Sequence, residues 1–258
     1  MDADAFVEEL VSRCRSLDGV TTVVVFGSTA AAASARRDEW SDVDFAVFAD
    51  PGHVAEVSAQ WAFLPRAESI VLTAREYDSG GAVLYADGSV AEFGAGRPWD
   101  VSDPTCEVLL GGQDLVRVPP PAPMSPENAV RLFLVKLLIG VGRVRRGEVL
   151  AGGVHIRSHA LGALAVALRG RCEPTAADAE NPFDALRRFE SVHPELGARL
   201  SAALARPDEM AARALFDLAR EQLEPHWPGF PSVAADVVAA RVGWLAEPEV
   251  DRSAAARR

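Results

Sequence analysis

Apolar side chains recur at three- and four-residue steps over residues 4–17, where Phe6, Val7, Leu10, Val11, Cys14 and Leu17 would share one helical face that Gly19 ends. The β-branched run Val20-Thr21-Thr22-Val23-Val24-Val25-Phe26 predicts a buried strand, residues 43–48 a second and 69–73 a third, with a helix over 53–63. Ala82-Val83-Leu84-Tyr85 and Ser89-Val90-Ala91-Glu92-Phe93 flank Ala86-Asp87-Gly88, the Asp-Gly turn of a β-hairpin. The proline-rich stretch 119–126 cannot continue a helix or a central strand, so it reads as a semi-rigid linker. Beyond it the pattern is helical throughout: 127–146, 149–169, 182–191, 194–205, 207–224 and 231–246, several opening on proline in the first turn. The expected class is α+β, with a mixed-sheet domain over 1–118, the linker 119–126 and a helical bundle over 127–258. No internal repeat is seen, and low complexity is confined to the short Ser-Ala-Ala-Ala-Arg-Arg end.

With 258 residues and 49% apolar content, the chain is long enough to bury one or two substantial cores. No run of 18 uninterrupted apolar residues occurs, and Met-Asp-Ala-Asp-Ala lacks the basic and apolar regions of a secretory signal, so a cytoplasmic protein without membrane association is expected. Cys14, Cys106 and Cys172 are too scattered for a disulfide framework or a zinc knuckle and read as small buried hydrophobes. The net charge of -11 is unevenly distributed: residues 1–118 hold 20 acids and 8 bases, residues 119–258 hold 17 and 18. An acidic front half repels phosphate backbones, which disfavours nucleic acid as a partner, and attracts cations.

Candidate chemistry sits where the first strand breaks at Gly27-Ser28 and the second restarts around Asp42-Val43-Asp44. Residues i and i+2 of a strand share a face, so Asp42 and Asp44 would present two carboxylates side by side, roughly 7 Å apart at Cα. Like charges held that close require either a raised pKa or a divalent cation, and oxygen-only ligands suit Mg²⁺ or Mn²⁺. The same two acids would suit the solvent side of a half-exposed strand; Gly27-Ser28 at this distance favours the cation. Glycine lets a phosphate approach the backbone, and the helix-favouring, alanine-rich segment 29–36 that follows offers N–H and hydroxyl groups to anionic oxygens.

Gly-Ser, a thirteen-residue spacer and Asp-Val-Asp followed by apolar residues resemble the signature of polymerase-beta-type nucleotidyltransferases. A helical domain after the catalytic one is similar to the antibiotic-modifying branch, the aminoglycoside and lincosamide nucleotidyltransferases. Where members often have a glycine or a basic residue soon after Gly-Ser, this chain has alanines, with Arg36-Arg37 late. The resemblance implies transfer of a nucleoside monophosphate, AMP from ATP in the first instance or from another NTP, to a hydroxyl of a small acceptor, with release of pyrophosphate. It also implies a third carboxylate on a later strand, as metal ligand or general base. Glu92 is the choice, mid-strand after the Asp-Gly turn and read as a buried acid; Asp87, Asp100 and Glu68 are the alternatives.

In the helical half, Lys136, the only lysine in the chain, interrupts the apolar segment 132–139, and Arg143 lies seven residues on along the same face. The resemblance implies that such a lysine reaches the nucleotide's phosphates, with Arg143 assisting; snorkelling to the surface is the competing account. His155 and His159 lack the glutamate or third ligand of a zinc site and read as surface or interdomain residues. Ser28 lacks the Gly-x-Ser-x-Gly setting of a hydrolase nucleophile, and Trp40, Trp61 and Trp99 suit an acceptor pocket or, more commonly, core. The expected assembly is a monomer or homodimer. Two other readings remain: an antitoxin or regulator of the same fold acting on a protein partner, and polynucleotide end-addition, which the net charge disfavours.

Overall fold

Strands β1 (Val20–Phe26) and β2 (Val43–Ala49) lie side by side in the interior of a six-stranded sheet, with their side chains buried on both faces. This computed structural model describes residues 2–113, 115–175 and 183–245, and within them the class is α+β. The chain forms two compact units that part between Pro120 and Pro121, inside the proline-rich stretch. The sheet belongs to the first. It is completed by β3 (Ile70–Tyr77), β4 (Gly80–Tyr85), β5 (Val90–Gly96) and β6 (Glu107–Gly111) in the order β3-β4-β5-β2-β1-β6. Only β2 and β5 run parallel; every other neighbour pair is antiparallel.

Helices α1 (Ala3–Ser16) and α2 (Val54–Gln60) belong to the same unit. Phe6, Leu10 and Cys14 of α1 and Val57 of α2 join Val23, Val25, Phe45, Val47 and Phe93 in the core on one sheet face. That core is aromatic at its centre: Phe45 stacks on Phe93 at 5.4 Å, and Phe6 meets Tyr85 edge-on at 5.9 Å. The opposite face carries a smaller cluster of Val24, Ala46 and Phe48 covered by Val101 and Cys106. This thinner cover leaves the end of that face open, and the candidate chemistry lies there.

Several local expectations are revised. Helix α2 stops at Gln60 because Trp61 adopts a left-handed conformation (φ 50°). The segment after Gly27 forms two short 3₁₀ turns, Gly27–Thr29 and Ala31–Arg36, instead of an α-helix. Its extended break at Ala30 leaves too few residues to nucleate an α-helix, and Arg37 takes the carbonyls of Ser28 and Thr29. Strand β3 continues to Tyr77, beyond the apolar run, because it is an edge strand exposed along most of its length. Strand β6 has no alternating pattern and is defined by antiparallel pairing with β1.

The second unit is helical: α3 (Pro126–Arg145), α4 (Val149–Val154), a π-helical turn His155–Ala160, α5 (Leu161–Arg171), α6 (Phe189–Val192), α7 (Pro194–Leu204), α8 (Asp208–Leu223) and α9 (Ser232–Val242). Helix α3 starts at Pro126 with Ser125 as its N-cap, the Ser125 hydroxyl accepting from the Asn128 N–H at 3.3 Å, so the proline-rich stretch ends one residue earlier than expected. Its buried stripe Ala129, Val130, Phe133, Leu134, Leu137 and Val141 packs with Ile156, Leu164, Leu168, Leu215 and Phe216 in one core. Pro207 and Pro231 sit one place before α8 and α9, at the N-cap, whereas Pro126 and Pro194 occupy the first turn. The expected helix 182–191 shrinks to α6, because Arg169 binds the Ala185 and Arg187 carbonyls at 2.7 and 3.0 Å and holds them out of a helical ladder. Pro182, Ala246 and the Ser-Ala-Ala-Ala-Arg-Arg end lie outside the described residues. Among the described residues, one continuous helical run, Val149–Arg171, is long and apolar enough to cross a membrane by length and composition; its Ile156, Ala160, Leu164 and Leu168 are buried in this unit's core.

Candidate metal centre and adjoining cleft

Register places the carboxylates. In the parallel pair β2–β5, Asp44 lies opposite Glu92, and in the antiparallel pair β1–β2, Phe26 lies opposite Asp44. Glu92, Asp44 and the end of β1 are therefore side by side on three adjacent strands, at the strand spacing of roughly 4.8 Å. Asp42, just before β2, shares the parity of Asp44, Ala46 and Phe48 and completes the group. One oxygen from each of Asp42, Asp44 and Glu92 lies within 4.8 Å of the others. Around one octahedral Mg²⁺ neighbouring oxygens are about 3 Å apart and opposite ones about 4.2 Å, so these three hard donors could hold a small divalent ion once they close in on it. Asp42 and Asp44 are half-buried; Glu92 is exposed, not the buried acid that its neighbours Ala91 and Phe93 suggested.

The other acids go elsewhere. Asp87 sits at the hairpin tip, where hydrogen bonds from Ser89 and then the Arg66 guanidinium at 2.9 Å hold its carboxyl well below the usual range. Glu68 and Asp100 are exposed and outside the group.

Gly27 begins the bend with φ 56°, and a Cβ there would lie 3.1 Å from Asp44 Oδ2. Glycine thus allows the bend to close against the acid. Its own N–H is already used, donating to Thr105 Oγ1 at 2.8 Å, and the Ala31 N–H donates to Glu107 Oε2 at 2.6 Å. With the Gly27 and Ala31 N–H groups engaged within the protein, the half-buried Ser28 hydroxyl has no hydrogen-bond partner among the described residues. The Asp44 N–H, donating to Thr29 Oγ1 at 3.4 Å, ties the bend to β2, and Arg37 braces it from behind through the Ser28 and Thr29 carbonyls and Asp4.

Beside the acids opens a cleft of about 380 Å³ whose lining includes Asp44, Glu76, Tyr77, Glu92, Phe93 and Trp99. Tyr77 donates its hydroxyl to Glu76 Oε1 at 2.8 Å; that bond, and the negative field of Glu76 and Glu92, raise its pKa. Trp99 meets Phe48 edge-on at 4.6 Å and lies across Gly94, where a Cβ would come within 2.2 Å of its ring. Three carboxylates with aromatic walls can receive a cationic, ring-shaped molecule. Trp99 lines this cleft, whereas Trp61 packs edge-on against Phe93 with Arg75 over its ring, and Trp40 is 87% exposed. Glu76 and Tyr77 escape sequence reasoning because the β-branched run ends at Thr73 and Ala74-Arg75-Glu76-Tyr77 shows no alternation of apolar and polar positions.

Lys136 and Arg143 lie on α3, in the second unit, both half-buried. Arg143 is 4.0 Å from Glu148, and Lys136 has no ion-pair partner among the described residues.

No family model and no curated protein matches the chain. Among solved structures it is similar to the crystal structure of an aminoglycoside 6-adenyltransferase from Bacillus subtilis, with 11% identity over 99% of this chain and 97% of that one and a TM-score of 0.33. At that score the superposition is too loose to carry residue roles from one chain to the other.

Proposed function

We propose that the chain is a Mg²⁺-dependent nucleotidyltransferase that moves a nucleoside monophosphate, AMP from ATP, onto a hydroxyl of a small cationic acceptor of the aminoglycoside or lincosamide kind. The observation that supports this reading is the convergence of Asp42, Asp44 and Glu92 within 4.8 Å beside the Gly27-Ser28 bend. Asp42 and Asp44 would hold the ion, and Glu92 would complete its ligands or act as base. A bound divalent ion supplies electrostatic stabilisation of charge developing on phosphoryl oxygens. Ser28 would donate its hydroxyl to a phosphate oxygen, and the cationic Lys136 and Arg143 of the helical unit are proposed as phosphate-binding groups. The acceptor enters the acidic cleft, where Trp99 and Tyr77 offer ring faces and Glu76 an ion-pair partner.

In the reaction the acceptor oxygen forms a bond to the α-phosphorus as the bond to the bridging oxygen breaks. Pyrophosphate leaves with that electron pair, and the hydroxyl proton passes to the Glu92 carboxylate. Positioning and electrostatics account for most of the acceleration, since the protein need form no covalent bond of its own.

The test is pyrophosphate release from ATP with Mg²⁺ across a panel of hydroxylated acceptors. Turnover with a small acceptor, lowered at least about 100-fold in Asp42→Asn or Asp44→Asn with an unchanged melting profile, is the expected result, since a direct ligand should cost no less than an outer-shell partner. Silence with every acceptor and every NTP, together with tight binding to a protein, would overturn it in favour of a regulator.

A further inference from the structure

A second cavity, of about 750 Å³, opens beside the edge strand β3; Arg13 of α1, Gln60 and Trp61 at the end of α2, and Thr73 and Arg75 of β3 are among its lining. It lies on the other sheet face from the acids. Arg75 is opposite Gly81 and Gly81 opposite Phe93, a side chain of the aromatic core, whereas Glu92, next to Phe93, points the other way. Residues 1–118 hold 20 acids and 8 bases, yet among the described residues this lining has two of those bases and no carboxylate. Within an acidic unit, such a concave surface is suited to an anion.

Trp61 adopts a left-handed backbone conformation (φ 50°), a costly one for a bulky side chain. Its indole packs edge-on against Phe93, and the Arg75 guanidinium lies 4.5 Å over the ring. The indole Nε1 is buried and has no hydrogen-bond partner, whereas such atoms ordinarily find one. Arg75 Nη1 donates to the Ser58 and Asp78 carbonyls, both at 3.1 Å. Those bonds fix the guanidinium and leave its Nε and Nη2 donors, which share one edge, without a partner among the described residues. Arg75 has no ion-pair partner among them either, while Arg13 is paired with Glu9 at 2.8 Å. One uncompensated charge with two parallel N–H donors matches a carboxylate, a planar anion of single charge. Ala62, Leu64 and Ile70 add apolar surface for the rest of the ligand.

We infer that this cavity binds a small monocarboxylate with an apolar, ring-bearing body, its carboxylate held by the Nε–Nη2 edge of Arg75 and by the Trp61 indole N–H. The bound oxygen supplies the acceptor that the indole lacks, and the left-handed turn at Trp61 is what sets the ring beneath Arg75. This site shares no lining residue with the acidic cleft and does not rest on the proposed transfer reaction.

The experiment uses the full chain with phenylacetate, its neutral analogue phenylacetamide, and inorganic phosphate. Affinity is measured calorimetrically, and the indole N–H and arginine Nε–H resonances are followed by NMR, with Trp61 and Arg75 assigned from Trp61→Phe and Arg75→Gln. Saturable binding of phenylacetate that moves both resonances is expected, with phenylacetamide bound at least about tenfold more weakly, as the loss of a charged hydrogen bond requires. Phosphate should not displace phenylacetate. Arg75 is exposed, so Arg75→Gln should keep the parent circular dichroism spectrum and weaken phenylacetate binding by about tenfold or more. Arg75→Lys should not restore it, because an ammonium has no parallel pair of donors. Trp61→Phe keeps an aromatic ring but removes the N–H and should cost about fivefold. Asp42→Asn should bind phenylacetate as the parent does, so the site is read separately from turnover. Unmoved Trp61 and Arg75 resonances, equal affinity for phenylacetamide, displacement by phosphate, or no saturable binding in the millimolar range would overturn the assignment.

Discussion

Gly27 is constrained twice over: its φ of 56° is costly for any residue with a side chain, and a Cβ would press on Asp44 Oδ2 at 3.1 Å. Gly27→Ala should lose about 1–2 kcal/mol of stability from the left-handed conformation, read by urea denaturation. It should also lower nucleotidyl transfer by more than that stability change explains, because the added methyl displaces a proposed ion ligand. A different residue-scale test concerns His53, whose Nδ1 lies 2.9 Å from Asp50 Oδ1. That hydrogen bond, then the Asp50 charge, raises the His53 pKa, and the same contact lowers that of Asp50. The pair's stabilisation is lost as pH rises through the folded-state pKa of His53, and again as pH falls through the lowered pKa of Asp50. An NMR titration should place His53 above its ordinary 6.5 and return it toward that value in Asp50→Asn.

Among the elements, β2 organises the most. Its odd-numbered side chains enter the aromatic core and its even-numbered ones lead from Phe48 through Ala46 to Asp44. Phe45→Ala should cost about 3–5 kcal/mol in urea unfolding, since Phe45 touches the rings of Phe6, Phe63 and Phe93. Gly94 on β5 has a more local effect. Gly94→Val would evict Trp99, whose ring would lie only 2.2 Å from the new Cβ, and should raise the KM for the acceptor while leaving that for ATP nearly unchanged. Strand β1, the hairpin β4–β5 and the amphipathic α1 were all legible in the sequence because a β-branched run, an Asp-Gly turn and three-to-four spacing are local signals. Strand β6 and the non-helical 183–188 were not: the first depends on β1 as its partner, the second on Arg169 reaching across to two carbonyls.

For the molecule as a whole, charge is the property with a consequence for binding. The acidic front half should draw cationic acceptors over distances of the order of the Debye length, about 10 Å at 0.1 M salt. The KM for a polycationic acceptor should therefore rise as NaCl is increased from about 0.05 to 0.5 M, with a smaller change for a neutral acceptor; equal responses would show that steering is unimportant.

Local chemistry was enough to mark the strand, the glycine bend and the returning strand with Asp42 and Asp44 on one face, and to put Glu92 in a hairpin, since each depends on residues within a few positions of one another. Long-range pairing was needed to set β5 parallel to β2 with Glu92 opposite Asp44, to carry β3 far enough for Glu76 and Tyr77 to border the cleft, and to bring Arg75 over the Trp61 ring. The physical reason is that one apolar strand or helix face is as good a partner as another until the whole core is packed, and a shift of one residue in register would have turned Glu92 away from the aspartates.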